Sequence, residues 1–257
     1  VPVILLNAEP EKLDNTLKSV ERVTKANGYD SWIMLNIYPQ RPTNPNNLHD
    51  QRNFDLNSEN ISQIETILKD NKTEIWAAWG KLINKRPYLI NCLFEIAELS
   101  KRYGCQWFQA GPDTKERHPH HPLYLDKHAA LKPFDIDGCI IKANVKQLFG
   151  YIKLLKSNNI DFKSDFIKSF YQSGLLDIQY CDHMTTRPIS LDEEMNHLDN
   201  ANYAFSRALL TAIMREDYFE NGSLMERIKT GDLVKVMKRL KKLYLALSWD
   251  DQHIMNT

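Results

Sequence analysis

The chain has 257 residues, 42% hydrophobic and 26% charged, enough for one large domain or two of ordinary size with real cores. Lys plus Arg and Asp plus Glu both number 33, which excludes a surface coated in basic charge; a nucleic-acid partner would have to be met by a local patch of Lys and Arg. The four cysteines, Cys92, Cys105, Cys139 and Cys181, form no Cys-x-x-Cys pair, so they read as free thiols in a reducing cytosol rather than as zinc or iron–sulfur ligands.

The chain opens at Val1 inside an apolar run, and a short segment is expected upstream of it. Val1 to Leu6 reads as a buried strand that stops at Asn7-Ala8-Glu9-Pro10. Helical spacing through Leu17, Val20 and Val23 predicts a helix from about Leu13 to Asn27, with Asn27-Gly28 as its stop. Trp32 to Ile37 is a second apolar strand, followed by a Pro- and Asn-rich loop from Pro39 to Asn53 that is too long for a plain connector. Ser58 to Asp70 is an amphipathic helix, Ile75 to Gly80 a third strand, Tyr88 to Tyr103 a helix and Gln106 to Ala110 a fourth strand. Strands alternating with helices imply a mostly parallel sheet covered on both faces, a three-layer α/β sandwich with four strands. The loops at Asn7, Asn36, Gly80 and Gly111 all follow strands, so they gather on the edge where such sheets bind ligands.

From about Val145 the pattern turns helical, with a Pro188 break, long helical stretches over Leu191 to Arg215 and Leu224 to Leu247, and a short extended piece around Ile178-Gln179-Tyr180. The predicted division is an α/β domain over 1–142 and a mainly α-helical accessory domain over 143–257. No apolar run approaches the roughly 18 residues of a membrane span and no secretory signal is visible, so a cytoplasmic protein without a membrane partner is expected.

Asn7, Asp14-Asn15-Thr16, Asn36-Ile37-Tyr38, Arg41-Pro42-Thr43-Asn44-Pro45, Ala78-Trp79-Gly80 and His121-Pro122-Leu123-Tyr124-Leu125 occur in that order. With them the segment from Val3 to Phe134 resembles the family called domain of unknown function 1643, departing in the first loop, where Ala8-Glu9 replaces Pro-Ser. Met34-Leu35-Asn36, Ala78-Trp79-Gly80 and His121-Pro122 also give a more distant resemblance to the uracil-DNA glycosylase superfamily. Residues Asn144 to Leu243, through Ala208 to Arg215, Phe219, Gly222 and Ile228 to Leu240, resemble the family called domain of unknown function 6508, which carries no chemistry.

The glycosylase resemblance implies a DNA partner, double-stranded with one base flipped out, and no cofactor. Cleaving an N-glycosidic bond creates a cationic sugar and an anionic base, so donors are needed at the base and an oxygen acceptor near the attacking water. His121 is the expected donor to the departing base; a surface or capping histidine is the plain alternative. Asn36 is placed to read a flipped base through its amide, or simply to end its strand. Asn7, then Asp14, then Glu9 are the candidates to position water, and Asp14 suits a helix N-cap equally. Tyr38 is read as a stacking platform or as core. Arg41, Arg52, Lys81, Lys85, Arg86 and Arg117 are candidate phosphate contacts, against the usual fate of such residues as solvated charge. The resemblance implies a wedge just after the His-Pro, at Leu123 with Tyr124 beside it.

His118, His120 and His121 lack a carboxylate or cysteine at ligand spacing, so no metal is expected. Lys235 to Lys242 forms a basic amphipathic helix that suits DNA backbone, a membrane surface or plain solvent. Because the first loop lacks the Asp-Pro-Tyr of uracil specialists, the expected activity is excision of a modified or non-standard base, in keeping with defence against phage whose DNA is modified. The alternatives are a non-catalytic module binding nucleotides or modified DNA, and a hydrolase of free nucleosides or nucleotides. The oligomeric state is left open.

Overall fold

The computed structural model of the chain describes residues 3–6, 15–40, 48–70, 74–112, 114, 118–156 and 163–247. They divide into two compact units, Val1–Ile140 and Ile141–Thr257. No helix among the described residues is long and apolar enough to cross a membrane.

The first unit is α/β. Strands β1 (Val3–Leu6), β2 (Ile33–Asn36), β3 (Glu74–Ala77), β4 (Gln106–Ala110) and β5 (Leu131–Pro133) form one sheet in the order β2-β1-β3-β4-β5. The first four are parallel, in registers that pair Leu6 with Asn36, Leu5 with Ala77 and Ala77 with Gln109. β5 runs antiparallel to β4, with Phe108 opposite Pro133. The expected four-stranded sheet is therefore corrected to a mixed five-stranded one. Pro133 lacks an N–H for a ladder, which suits it only to an edge.

Side-chain alternation assigns the faces. Trp76 and Ala110 pack with Val20 and Val23 of helix α1 (Asn15–Ala26) and with Leu125 in one buried cluster. Ile75 and Trp107, paired across β3 and β4, point the other way, and the Trp107 indole donates to Ser100 Oγ of helix α3 (Tyr88–Arg102) at 2.9 Å. Helix α2 (Phe54–Asp70) joins α3 through Asn57 Nδ2, which donates to Glu95 Oε2 at 2.8 Å. The sheet is thus covered on both sides, as its apolar strands demand. Each large apolar side chain buried here contributes about 1.5–3 kcal/mol.

The second unit is helical. The division between units falls within helix α4 (Ile136–Gly150), which is followed by α5 (Lys163–Gln172), α6 (Tyr180–His183), α7 (Leu191–Met195), α8 (Tyr203–Phe219), α9 (Ser223–Lys229) and α10 (Asp232–Ala246). Every residue from Ala208 to Met214 of α8 is buried, so this helix is the axis around which α6, α7, α9 and α10 pack. The long stretches expected from the sequence are interrupted. Asn202 caps α8 by accepting from Phe205 N at 2.9 Å, which separates it from α7. Gly231, at φ 81°, separates α9 from α10. The extended piece expected at 178–180 is absent: Ile178 is exposed and Tyr180 begins α6.

Candidate functional site

Four parallel strands deliver their carboxyl ends to one edge. β1 leads into residues 7–14, so Asn7, Glu9 and Asp14 lie outside the described residues, as do Arg41 and Arg117. Asn36 closes β2, half-buried, with its carbonyl accepting from Asn60 Nδ2 of α2 at 3.0 Å. β1 stands between it and the end of β3.

After β3 the chain passes Ala78 and Trp79 into a 3-10 turn over Gly80–Lys85. Gly80 takes φ +60°, and a Cβ there would lie 2.9 Å from His121 Cβ. Only glycine permits this approach, which brings the Ala-Trp-Gly and His-Pro motifs into contact although they are distant in sequence. His121 caps the 3-10 turn Pro122–Tyr124, its Nδ1 accepting from Leu123 N at 3.4 Å. A neutral ring that accepts at Nδ1 carries its proton at Nε2, so this long contact is compatible with Nε2 as the donor. The Tyr124 ring lies 6.1 Å away, centroid to centroid.

Between these turns lies a cleft of about 630 Å³, lined by Trp79, Lys81, Lys85, Thr114, His120, His121, Leu123 and Tyr124 together with Gly80 and Leu82. Lys81 and Lys85 are exposed, and Leu123 and Tyr124 stand out from the surface at 43% and 75% exposure. Trp79 forms the buried wall, 1% exposed and edge-on to Trp107 and Phe134 at 6.2 and 5.9 Å. Its indole N–H is buried without a hydrogen-bond partner, which costs free energy unless a ligand or water supplies an acceptor. Among the described residues the lining is rich in donors and contains no carboxylate, a composition suited to an anionic or acceptor-rich ligand.

Of the residues singled out in the sequence, the fold brings His121, Lys81, Lys85, Leu123 and Tyr124 together. It does not bring Asn36 into the lining of this cleft. Three other expectations are corrected. Tyr38 is no stacking platform: it is fully buried, its ring 5.0 Å from Tyr88, its hydroxyl 3.2 Å from His49 Nδ1 and accepting from Asn53 N at 3.0 Å. Arg86 is committed to the segment after the long loop, donating to Leu48 O and His49 O at 2.8 and 3.1 Å and pairing with Asp50. Tyr88, which donates to His49 O at 3.0 Å, has its phenol pushed up to about 12, chiefly by burial. Arg52 is only 11% exposed and bonds Glu95 at 2.6 Å; burial acts to lower its pKa, but Glu95 more than offsets this and the net direction is up.

Trp79, Thr114 and His120 are lining residues that the sequence reading missed. The Ala-Trp-Gly tripeptide was the available signal for Trp79. His118, by contrast, is buried with Nδ1 3.6 Å from Cys139 Sγ, apart from its two neighbours in the cleft. No group of three or more His, Cys, Asp or Glu among the described residues is placed to hold a metal ion.

Residues 3–123 match the family described as Protein of unknown function (DUF1643), and residues 138–246 match the Family of unknown function (DUF6508). The two matches lie in tandem along the chain. The DUF1643 match runs from the start of β1 to Leu123 and so takes in both the Ala-Trp-Gly and the His-Pro turns; the DUF6508 match ends with α10 at Ala246. No curated protein and no solved structure matches the chain.

Proposed function

We propose that the DUF1643 unit is a DNA N-glycosylase, with a three-layer fold of the uracil-DNA glycosylase kind, that acts on a flipped modified or non-standard base. The observation that carries this reading is His121 standing with Lys81 and Lys85 in one cleft beyond the carboxyl ends of parallel strands. Its volume of about 630 Å³ is that of a small-ligand site.

In the proposed reaction, water adds to the sugar C1′ as the bond from C1′ to the base nitrogen breaks, and that bond's electron pair leaves with the base. Nε2 of His121 donates to the base as negative charge grows on it, and Lys81 and Lys85 lower the energy of the same anion or hold the flanking phosphates. The water is oriented by Asn7 and passes its proton to a carboxylate of the segment after β1, where Asp14 and Glu9 stand in the sequence. Asn36, at the end of β2, is assigned to the base edge. Leu123 and Tyr124 fill the gap in the stack.

The test is incubation of the protein with duplexes bearing uracil or bulky modified bases, reading abasic sites by alkaline cleavage and released base by mass spectrometry. His121→Ala should slow release about 10²–10³-fold, the usual loss for one donor at a developing anion. Release unchanged in both His121→Ala and Asn36→Ala would refute the site. Hydrolysis of free nucleosides with intact DNA left untouched would refute the DNA substrate. Action on phage-type modified bases would support a role in defence.

A further inference from the structure

The DUF6508 unit contains a second groove, of about 790 Å³, between α10 and the segment from Asp192 to Asp199. Lys235, Lys238, Arg239 and Lys242 of α10 line it. Their spacing of three, four and seven residues places all four on one face of the helix, and at 1.5 Å of rise per residue the row is about 10.5 Å long. Met195 and Leu198 give the groove an apolar floor.

Acidic groups also reach this groove, and the structure shows where their charge goes. Arg227, only 14% exposed, bonds Asp192 at 2.5 Å and Glu216 at 3.0 Å, and approaches Asp232 at 3.7 Å. Asp232 also pairs with Lys235 at 3.1 Å. Asp192 and Asp232 are therefore both paired, Asp232 chiefly with Lys235 of the row itself, and Asp199 stands at the exposed opposite wall. Arg239 is held by one carbonyl, its Nε and Nη2 donating to Ala201 O at 3.0 and 2.5 Å. That grip fixes a planar fork with further N–H groups beside the exposed Lys238 and Lys242.

We infer that this groove binds the sugar-phosphate backbone of nucleic acid, giving the helical unit its own contact with DNA. A single anion would call for cations that converge on a point; these stand in a line. One strand of B-form DNA carries a phosphate about every 3.4 Å along the axis and winds sideways between them, so a row of this length meets about two of them. A held guanidinium fork suits phosphate oxygens better than a lone ammonium does. In a chain of zero net charge, such a row concentrates the attraction locally.

The test uses the full-length chain and unmodified duplex DNA, in filter binding between 50 and 200 mM salt, and asks nothing of base release. Lys238→Glu combined with Lys242→Glu should weaken binding at least tenfold and reduce the log–log salt slope by about two, at about 0.9 per phosphate lost. Lys238→Gln with Lys242→Gln should give a smaller loss in the same direction, and circular dichroism should show both proteins folded. Lys168→Gln, at an exposed lysine of α5 outside both clefts, should bind as the parent does. Unchanged affinity and slope in the Glu pair would overturn the inference. So would equal competition by polyglutamate, which would make the groove a general polyanion or peptide site. ATP displacing the duplex at matched phosphate concentration would likewise point to a free nucleotide instead.

Discussion

Gly80 holds a left-handed backbone against the β-carbon of His121, and this one contact sets where the proposed donor sits. Gly80→Ala adds a methyl group 2.9 Å from His121 Cβ and imposes a strained φ of +60°. It is expected to cost about 1–3 kcal/mol of stability, read as a lowered midpoint in urea. Base release should fall by more than stability alone explains, because a donor displaced by an ångström loses much of its effect. His121 was legible as a site residue because its motif stood in order with Ala78-Trp79-Gly80. From the sequence Tyr38 reads as platform or core and Arg86 as phosphate contact or solvated charge, for one shared reason. Tyr38 lies just past a strand end and Arg86 just past the 3-10 turn Gly80–Lys85, where pattern predicts exposure, yet both are used to fasten the returning segment at Leu48 to Asn53. Contacts of that kind join residues with no periodic relation.

At the level of elements, the strands with continuous apolar runs were readable to within a few residues, as were the helices over 54–70 and 88–102. β5 was not, since Leu131-Lys132-Pro133 has neither length nor alternation. Asn27 holds the approach to it, donating to Ala129 O and accepting from Leu131 N, both at 2.9 Å. The breaks within the helical unit were hidden because a residue such as Glu194 stabilises an irregular turn from within a short helix. It is fully buried in α7 and accepts from the backbone N–H and hydroxyl groups of both Thr185 and Thr186, at 2.6 to 3.0 Å. Glu194→Ala orphans these donors, and a loss of about 3 kcal/mol or more is expected, measurable by calorimetry as a lower Tm.

At the scale of the whole molecule, the described carboxylates held below their ordinary range are unevenly distributed. Glu65 lies in the sheet unit, whereas Glu194, Asp217 and Asp232 lie in the helical one. Burial raises the pKa of each of these three, but hydrogen bonds outweigh it: from Thr185 and Thr186 to Glu194, from Lys163, Leu224 and Gly222 to Asp217, and from Lys235 and Thr230 to Asp232. A depressed carboxyl binds fewer protons folded than unfolded. Its stabilisation is therefore complete above the unfolded value, near pH 4, and disappears as pH falls through the folded one. Acid unfolding followed by hydrogen exchange should reach α7 to α10 before the sheet; protection lost first in β3 and β4 would contradict this. The two-part organisation was legible as a change of period, because strands and helices leave different spacings. The site was legible only in part, because β1 and β2 end one or two strands away from the cleft that His121 lines.

Trp79 gives the protein a built-in optical gauge. Its indole is a buried wall of the cleft, so an occupant of the cleft alters the surroundings this chromophore senses. Filling of the cleft should therefore shift or quench intrinsic emission, and candidate bases can be ranked by titration with no label attached and no turnover required.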